Sequence, residues 1–475
     1  MPKLSSLAVL PILLLAGTLS NPQSDSSNKQ LAHDIFKELI EINTTDSVGS
    51  TTVAAEAMAK RLLDAGFPQS DVAVLGPNDR KKNLVARLRG TGAKKPVLLI
   101  GHLDVVEAKP EDWSTDPFKF VEKDGFFYGR GTQDMKNGDA IMAATLIRMK
   151  KEGYRPDRDI ILALTADEEG GTFNGVEWLL KNHRDLVDAE FVLNHDTGIT
   201  TENGKLPTFD VTATEKLYAD YQLEVTNPGG HSSLPVPENA IYRLAAGLGR
   251  LSQYQFPFEL NTVTRAYYEA KSKVRTGQKA ADMKAILKTP PDQAAIARLS
   301  KDAIDNSTMR TTCVATRLAA GHANNALPQR AQANVNCRII PGHTSEEIRL
   351  ALIKVLADPK ISVRWLDPSR QPQEHGSDRQ SYPPPKLLPE VFKPLEQVVR
   401  AMWPGVPVVP EMSTGATDAV YTNAAGLPTY AIAGTAIERD DIRAHGKDER
   451  LAAASFYEGL DFYYRFLKAV TSTSN

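Results

Sequence analysis

Three short apolar runs in this chain each end in a cluster of acidic and histidine side chains. The first, VLLIGHLDVV, places His102 and Asp104 at its carboxyl end. The second, ILALTADEEGG, ends in Asp167, Glu168 and Glu169. The third, FVLNHDTG, ends in His195 and Asp196. Continuous apolar runs fit strands covered on both faces, and helical spacing fills the stretches between them. The pattern is therefore α/β with a mostly parallel central sheet. In such sheets, sites form at the carboxyl ends of the strands. Between the first two runs, GRGTQDMKNG puts Asp134 in a glycine-rich turn before a helix read over 138–151.

Carboxylates crowded at the end of a buried sheet repel one another and lose hydration, at a cost of about several kcal/mol unless a cation compensates. Divalent metal accepts histidine nitrogen and carboxylate oxygen. His102 and Asp104 lie two apart and share a strand face, so Asp104 can ligate metal or fix the His102 tautomer. Glu168 and Glu169 are consecutive and point to opposite sides in extended backbone. One of them can bind metal while the other faces substrate. Each cluster alone says little: Asp134 could simply cap its helix, and DEEGG could be a solvated loop. Their ordered co-occurrence at strand ends carries the argument.

The elements after about residue 214 change character. Strands at 218–226, 311–319, 331–340 and 361–365 and helices at 239–251 and 345–356 follow a β-α-β-β-α-β order, that of a ferredoxin-like α+β unit. A mostly helical stretch, 255–306, interrupts it. The proline-rich SYPPPKLLP marks the return to the first layer, with helices at 390–403 and 451–470. The expected division is a catalytic domain over 29–213 and 371–475, with an inserted lid over 214–370. Residues 1–20 have a lysine, a short apolar run and small residues before Asn21, the pattern of a secretory signal peptide. A polar stretch, NPQSDSSNKQ, expected to be flexible, follows it. Export is the expected localisation, with no stable membrane insertion afterwards. Lys+Arg is 56 and Asp+Glu 58, a net charge of −2, which argues against a nucleic-acid or polybasic membrane binder.

Taken together, GHLDVV, GRGTQDMK, DEEGG, GGHSS, NALP, CRIIPG, TGATDA and AHGKDE, in this order, resemble the M20 metallopeptidases. That family includes glutamate carboxypeptidase, succinyl-diaminopimelate desuccinylase, aminoacylase and several dipeptidases. The layout around WSTDPFKF and the long lid insertion look closest to the carboxypeptidase S and N-fatty-acyl-amino-acid hydrolase branch. The resemblance implies two divalent ions, usually zinc, with manganese or cobalt as alternatives. Asp134 would bridge them. His102 and Asp196 would complete one ligand set, Glu169 and His445 the other. Asp104 would orient His102, and Glu168 would be the general base. His231 would stabilise the oxyanion, and Asn325 and Arg338 would bind substrate. The implied substrate is a small peptide, cleaved to release an amino acid, or an N-acyl amino acid; homodimers occur in the family. Asp196 departs from the branch suggested by the layout: the carboxypeptidase and aminoacylase members commonly carry Glu there, the dipeptidase and aminopeptidase members Asp. A non-catalytic scaffold is disfavoured by intact candidates at every position, and a serine hydrolase by the lack of a nucleophile elbow with a plausible triad.

The remaining histidines of the nine have plainer readings. His195 adjoins Asp196 without matching the ligand position. His33 and His183 sit near helix ends, His322 and His343 in lid turns, and His375 in a polar linker. Cys313 and Cys337 lie on two lid strands flanking Asn325. Direct cross-strand opposition would bring them within disulfide range, and two buried thiols are the equal alternative.

Overall fold

The computed structural model describes residues 22–377 and 382–472; the signal-peptide reading of residues 1–20 lies outside them. Its centre is an eight-stranded sheet. The strands run in the order Val72–Leu75, Asn83–Leu88, Ile160–Thr165, Val97–His102, Phe191–Asn194, Thr429–Ala431, Phe209–Glu215 and Val408–Ser413. The three apolar runs are neighbours in its middle and pair in parallel, His102 opposite Thr165 and Ile100 opposite Asn194. Antiparallel pairings occur toward both edges. Alternate residues of each run serve opposite faces. Val97 and Leu99 join the core beneath helices Pro22–Glu41, Lys136–Lys151 and Ala453–Val470. Leu98 and Ile100 join a second core with Leu179 and Val187. A strand buried twice has no polar face, which is why its sequence reads as an unbroken apolar run.

The first helix begins at Pro22, so the stretch expected to be flexible is helical for most of its length. Proline suits a first helical turn, where its missing N–H would have no partner. The helix is anchored downstream by the buried stripe Ala32, Ile35, Phe36 and Leu39.

The second unit is a five-stranded sheet in the order Thr312–Ala320, Arg330–Ile339, Leu217–Thr226, Ser362–Leu366 and Pro372–Gln373, antiparallel throughout. Helices Ala240–Gln253 and Ser345–Leu356 pack on one face over Tyr221, Leu223 and Val335, with Leu244 and Leu352 facing them. Cys313 and Cys337 are direct cross-strand partners and form a disulfide, with Cα atoms 4.1 Å apart.

The insertion is helical, as expected, with a small core of its own around Tyr268, Met283 and Ile296. Its first helix, Thr262–Val274, packs on the outermost strand of the central sheet, Val408–Ser413. Val263 enters the main core. Lys271 Nζ donates to Thr208 Oγ1 at 2.8 Å and to both Asp210 oxygens at 2.9 Å. An insertion in the lid sequence thus covers the open edge of the other sheet, where unpaired backbone groups would otherwise invite association.

Candidate metal centre

The carboxyl ends of the three central strands bring His102, Glu168, Glu169 and Asp196 together with Asp134 from the glycine-rich turn. His445 arrives from a loop after the last strand of the sheet. His102 is buried, with Nε2 3.1 Å from Asp134 Oδ1 and 4.0 Å from Asp196 Oδ1. The other Asp134 oxygen lies 3.0 Å from His445 Nε2, which is also 2.8 Å from Glu169 Oε1. Asp134 therefore turns one oxygen toward each histidine. Two sets of donor atoms, His102–Asp134–Glu169 and His102–Glu168–Asp196, each gather within 4.8 Å.

This arrangement fits divalent ions. His102 Nδ1 lies 3.0 Å from the Asp104 carbonyl oxygen. A carbonyl only accepts, so Nδ1 carries the hydrogen, and in neutral imidazole Nε2 is left with a lone pair. That lone pair faces a carboxylate oxygen, a repulsive contact unless the ring is protonated or a cation sits between. Burial pushes Glu168 and Asp196 up from the ordinary carboxylate range, and Asp104 to about 6. Attraction from His102 acts against this rise in all three, but burial outweighs it. His445 is pushed up to about 10, chiefly by Asp134 and then Glu169. Burial opposes ionisation of Asp134 too, but bonds from His102 and His445 outweigh it and hold its carboxyl below the usual value. A mixed nitrogen and carboxylate set suits zinc or a similar ion.

Asp104, the residue expected to orient His102, stands beside the ring and contacts it most closely through its backbone. Its Oδ1 stands 3.9 Å from Nδ1, and the backbone carbonyl holds the ring. The carboxylate accepts the backbone N–H groups of Glu168 at 3.2 Å and Glu169 at 2.9 Å. The side chain thereby holds the start of the turn after the neighbouring strand. That turn starts at Asp167, in left-handed backbone with φ of 59° and ion-paired to buried Lys81.

His195 faces away from the cluster. It is buried with its ring 4.9 Å from that of Tyr463, and burial pushes it down to about 4, a neutral ring. His231 is exposed in a two-residue strand paired to Ala326–Leu327, with Nδ1 2.7 Å from Ser233 Oγ. Asn325 joins it, accepting the Ser232 N–H at 3.0 Å. Arg338 lies over the Tyr218 ring at 4.8 Å. Among the described residues, no hydrogen bond or ion pair ties these three lid residues to the cluster. Sequence reading gave no role to Asp418, which is buried beside the site and bound to Asn174 Nδ2 at 2.6 Å and Thr165 Oγ1 at 3.3 Å. Nor did it give one to Gln133 or Glu449. TGATDA and AHGKDE flagged two of these positions, but a carboxylate's partners across the fold leave no mark in a motif.

Residues 98–469 match the profile of Peptidase family M20/M25/M40. The N-fatty-acyl-amino acid synthase/hydrolase PM20D1 of Xenopus tropicalis is 28% identical over 385 residues, covering 78% of this chain and 72% of that protein. Aminoacylase-1 of Sus scrofa is 26% identical, covering 92% and 95%. Among solved structures, the dipeptidase Dug1p of Saccharomyces cerevisiae superimposes with a TM-score of 0.64 at 18% identity, over 95% of this chain and 98% of that one. With a profile match across most of its length and a mixed nitrogen–carboxylate centre at its strand ends, the chain belongs to peptidase family M20/M25/M40.

Proposed function

We propose that this protein uses two divalent ions to hydrolyse an amide bond and release a free amino acid, and that it acts after export. The observation that carries the reading is Asp134, with one oxygen 3.1 Å from His102 and the other 3.0 Å from His445. His102, Asp134 and Asp196 would hold one ion; Asp134, Glu169 and His445 would hold the other. When bound, such a pair lowers the pKa of a shared water and offsets negative charge on a carbonyl oxygen.

The protein's own groups handle protons and position. Glu168, beside His102 and Asp196, takes a proton from the attacking water and passes it to the departing amine nitrogen. His231 donates to the carbonyl oxygen as charge develops there. Arg338 pairs with the substrate's terminal carboxylate through a planar fork, and Asn325 holds the chain beside it. Closure of the lid over substrate brings His231 to the reacting carbonyl.

A second reading, in which the amide joins a fatty acyl chain to an amino acid, is favoured by Leu234, Val236 and Tyr242. They follow His231 in the same stretch of chain and are 73%, 48% and 72% exposed, large apolar side chains left open to solvent. The name of the Xenopus relative points the same way. A panel of dipeptides, longer peptides and N-acyl amino acids separates the readings. It is run on metal-stripped protein and again with Zn²⁺, Mn²⁺ or Co²⁺ restored. Higher kcat/KM for long-chain N-acyl amino acids selects the second reading. No amino acid released with any ion overturns both.

A further inference from the structure

Asp134 and His445 lie 311 positions apart, yet their side chains meet at 3.0 Å. His445 sits in a loop with left-handed backbone at His445 and Asp448 (φ of 63° and 50°). The loop runs between the short turn Arg439–Asp441 and the short strand Arg450–Ala452. A loop with no ladder of its own needs another source of rigidity.

Two buried side chains supply it, each reaching into the other's segment. Glu449, fully buried, accepts through Oε1 from the backbone N–H of Gln133 at 2.6 Å and of Asp134 at 3.1 Å. Through Oε2 it accepts from the Gly131 N–H at 3.1 Å and Arg130 Nη1 at 2.7 Å. In return, the Gln133 amide Nε2 donates to the carbonyls of Asp441 at 2.9 Å and Arg450 at 2.8 Å. Gln133 Oε1 accepts from the N–H groups of Arg443 at 2.7 Å and Ala444 at 3.0 Å. Gln133 immediately precedes Asp134, and Ala444 immediately precedes His445.

The polarity of each partner is matched. All four groups around Glu449 are donors, which a carboxylate satisfies and an amide does not. Gln133 faces two carbonyls and two N–H groups, which an amide satisfies and a carboxylate does not. Bonds to an ionised acceptor are also stronger than neutral ones.

We propose that Gln133 and Glu449 are positioning residues forming a reciprocal clamp, which fixes Asp134 against His445 and so governs the grip on the divalent ion on the His445 side. The proposal rests on the two-ion reading above. Groups that orient ligands from behind typically change metal affinity by about 10–100-fold when lost.

The test uses the full chain, stripped of metal and titrated with Zn²⁺ alone against a chromogenic chelator, and separately with Co²⁺ followed by its visible spectrum. The variants are Glu449→Gln, Gln133→Glu and the milder Gln133→Met; melts of the stripped proteins report folding. Each folded variant is expected to take its first zinc as wild type does and its second about 10–100-fold more weakly. The spectrum of the second cobalt equivalent should change as well. Folded variants that bind both ions with wild-type affinity and spectrum overturn the clamp, whatever their melting temperatures. If the isosteric exchanges do not fold, Gln133→Met carries the same comparison. Wild-type protein that takes up no zinc overturns the two-ion reading itself, a result distinct from unchanged variants.

Discussion

Glu168 shows how far a single residue's role follows from its surroundings. It lies within 4.8 Å of donors on His102 and Asp196, and it is the one carboxylate of the cluster proposed to move a proton. Glu168→Gln should lower kcat by about 10²–10⁴-fold, the range for losing a general acid–base group, while bound metal measured by elemental analysis stays at the wild-type level. Retained turnover with metals present removes the assignment. Gly101 bears on the site through shape alone. A Cβ there would lie 2.5 Å from Asp139 Oδ1 and 2.7 Å from Met142 Cε. Gly101→Ala should therefore cost about 1–3 kcal/mol through overpacking, read by denaturant unfolding of the stripped protein. Among the candidate site residues, His102, Glu168, Glu169 and Asp196 stood out as acid and histidine at the ends of apolar runs and Asp134 by its glycine-rich turn, whereas His445 was named only through the family resemblance. That the Asp104 carboxylate accepts the backbone N–H groups of Glu168 and Glu169 was not legible, because those partners belong to the turn after another strand.

Among elements, the strands that carried the sequence argument were those buried on both faces, Val97–His102, Ile160–Thr165 and Phe191–Asn194. The strands Phe209–Glu215, Val408–Ser413 and Thr429–Ala431 had escaped notice. They are short or carry polar residues, and their place in the sheet depends on partners from distant parts of the chain. The lid disulfide closes a loop with a sequence separation of 24. Replacing both cysteines by alanine should cost about 3 kcal/mol in the chain-entropy account, measured as a shift in unfolding midpoint against wild type. His343 links lid and insertion, with Nε2 2.8 Å from Glu259 and Nδ1 3.0 Å from Glu347. Burial works against its charge, but these two carboxylates prevail and raise its pKa above 6.5. A raised histidine stabilises fully below its unfolded value, and the contribution fades as pH rises through the folded one. His343→Gln should therefore lower the melting temperature at pH 5.5 more than at pH 8.5. For a partly exposed ion pair the difference should not exceed about 1 kcal/mol. A larger deficit at the higher pH contradicts the sign.

For the molecule as a whole, a cluster of buried carboxylates that holds divalent ions should make stability depend on metal. Ions that bind only the folded chain stabilise it by about 2.7 kcal/mol at a free concentration one hundred times Kd. Stripping the protein should lower its melting temperature, and added Zn²⁺ should restore it in proportion to the logarithm of its concentration. A melting temperature indifferent to chelation contradicts the proposed ligand set. The α/β class was legible because the apolar runs and the helices between them alternate along the chain. The docking of the insertion was not, since Lys271 reaching Asp210 is a contact between distant segments that neither segment's own pattern announces.

The meeting of Gln133 with Glu449 has a consequence in time. The central sheet takes in strands from both sides of the lid, and His445 and Glu449 come from the last tenth of the chain. Such long-range pairing forms late, because the entropy of closing the intervening loop must be spent first. A ribosome-bound fragment lacking the last tenth of the chain therefore carries His102, Asp134 and Asp196 but not His445. The second proposed ligand set, and the clamp behind it, can form only once the chain has been made through Glu449.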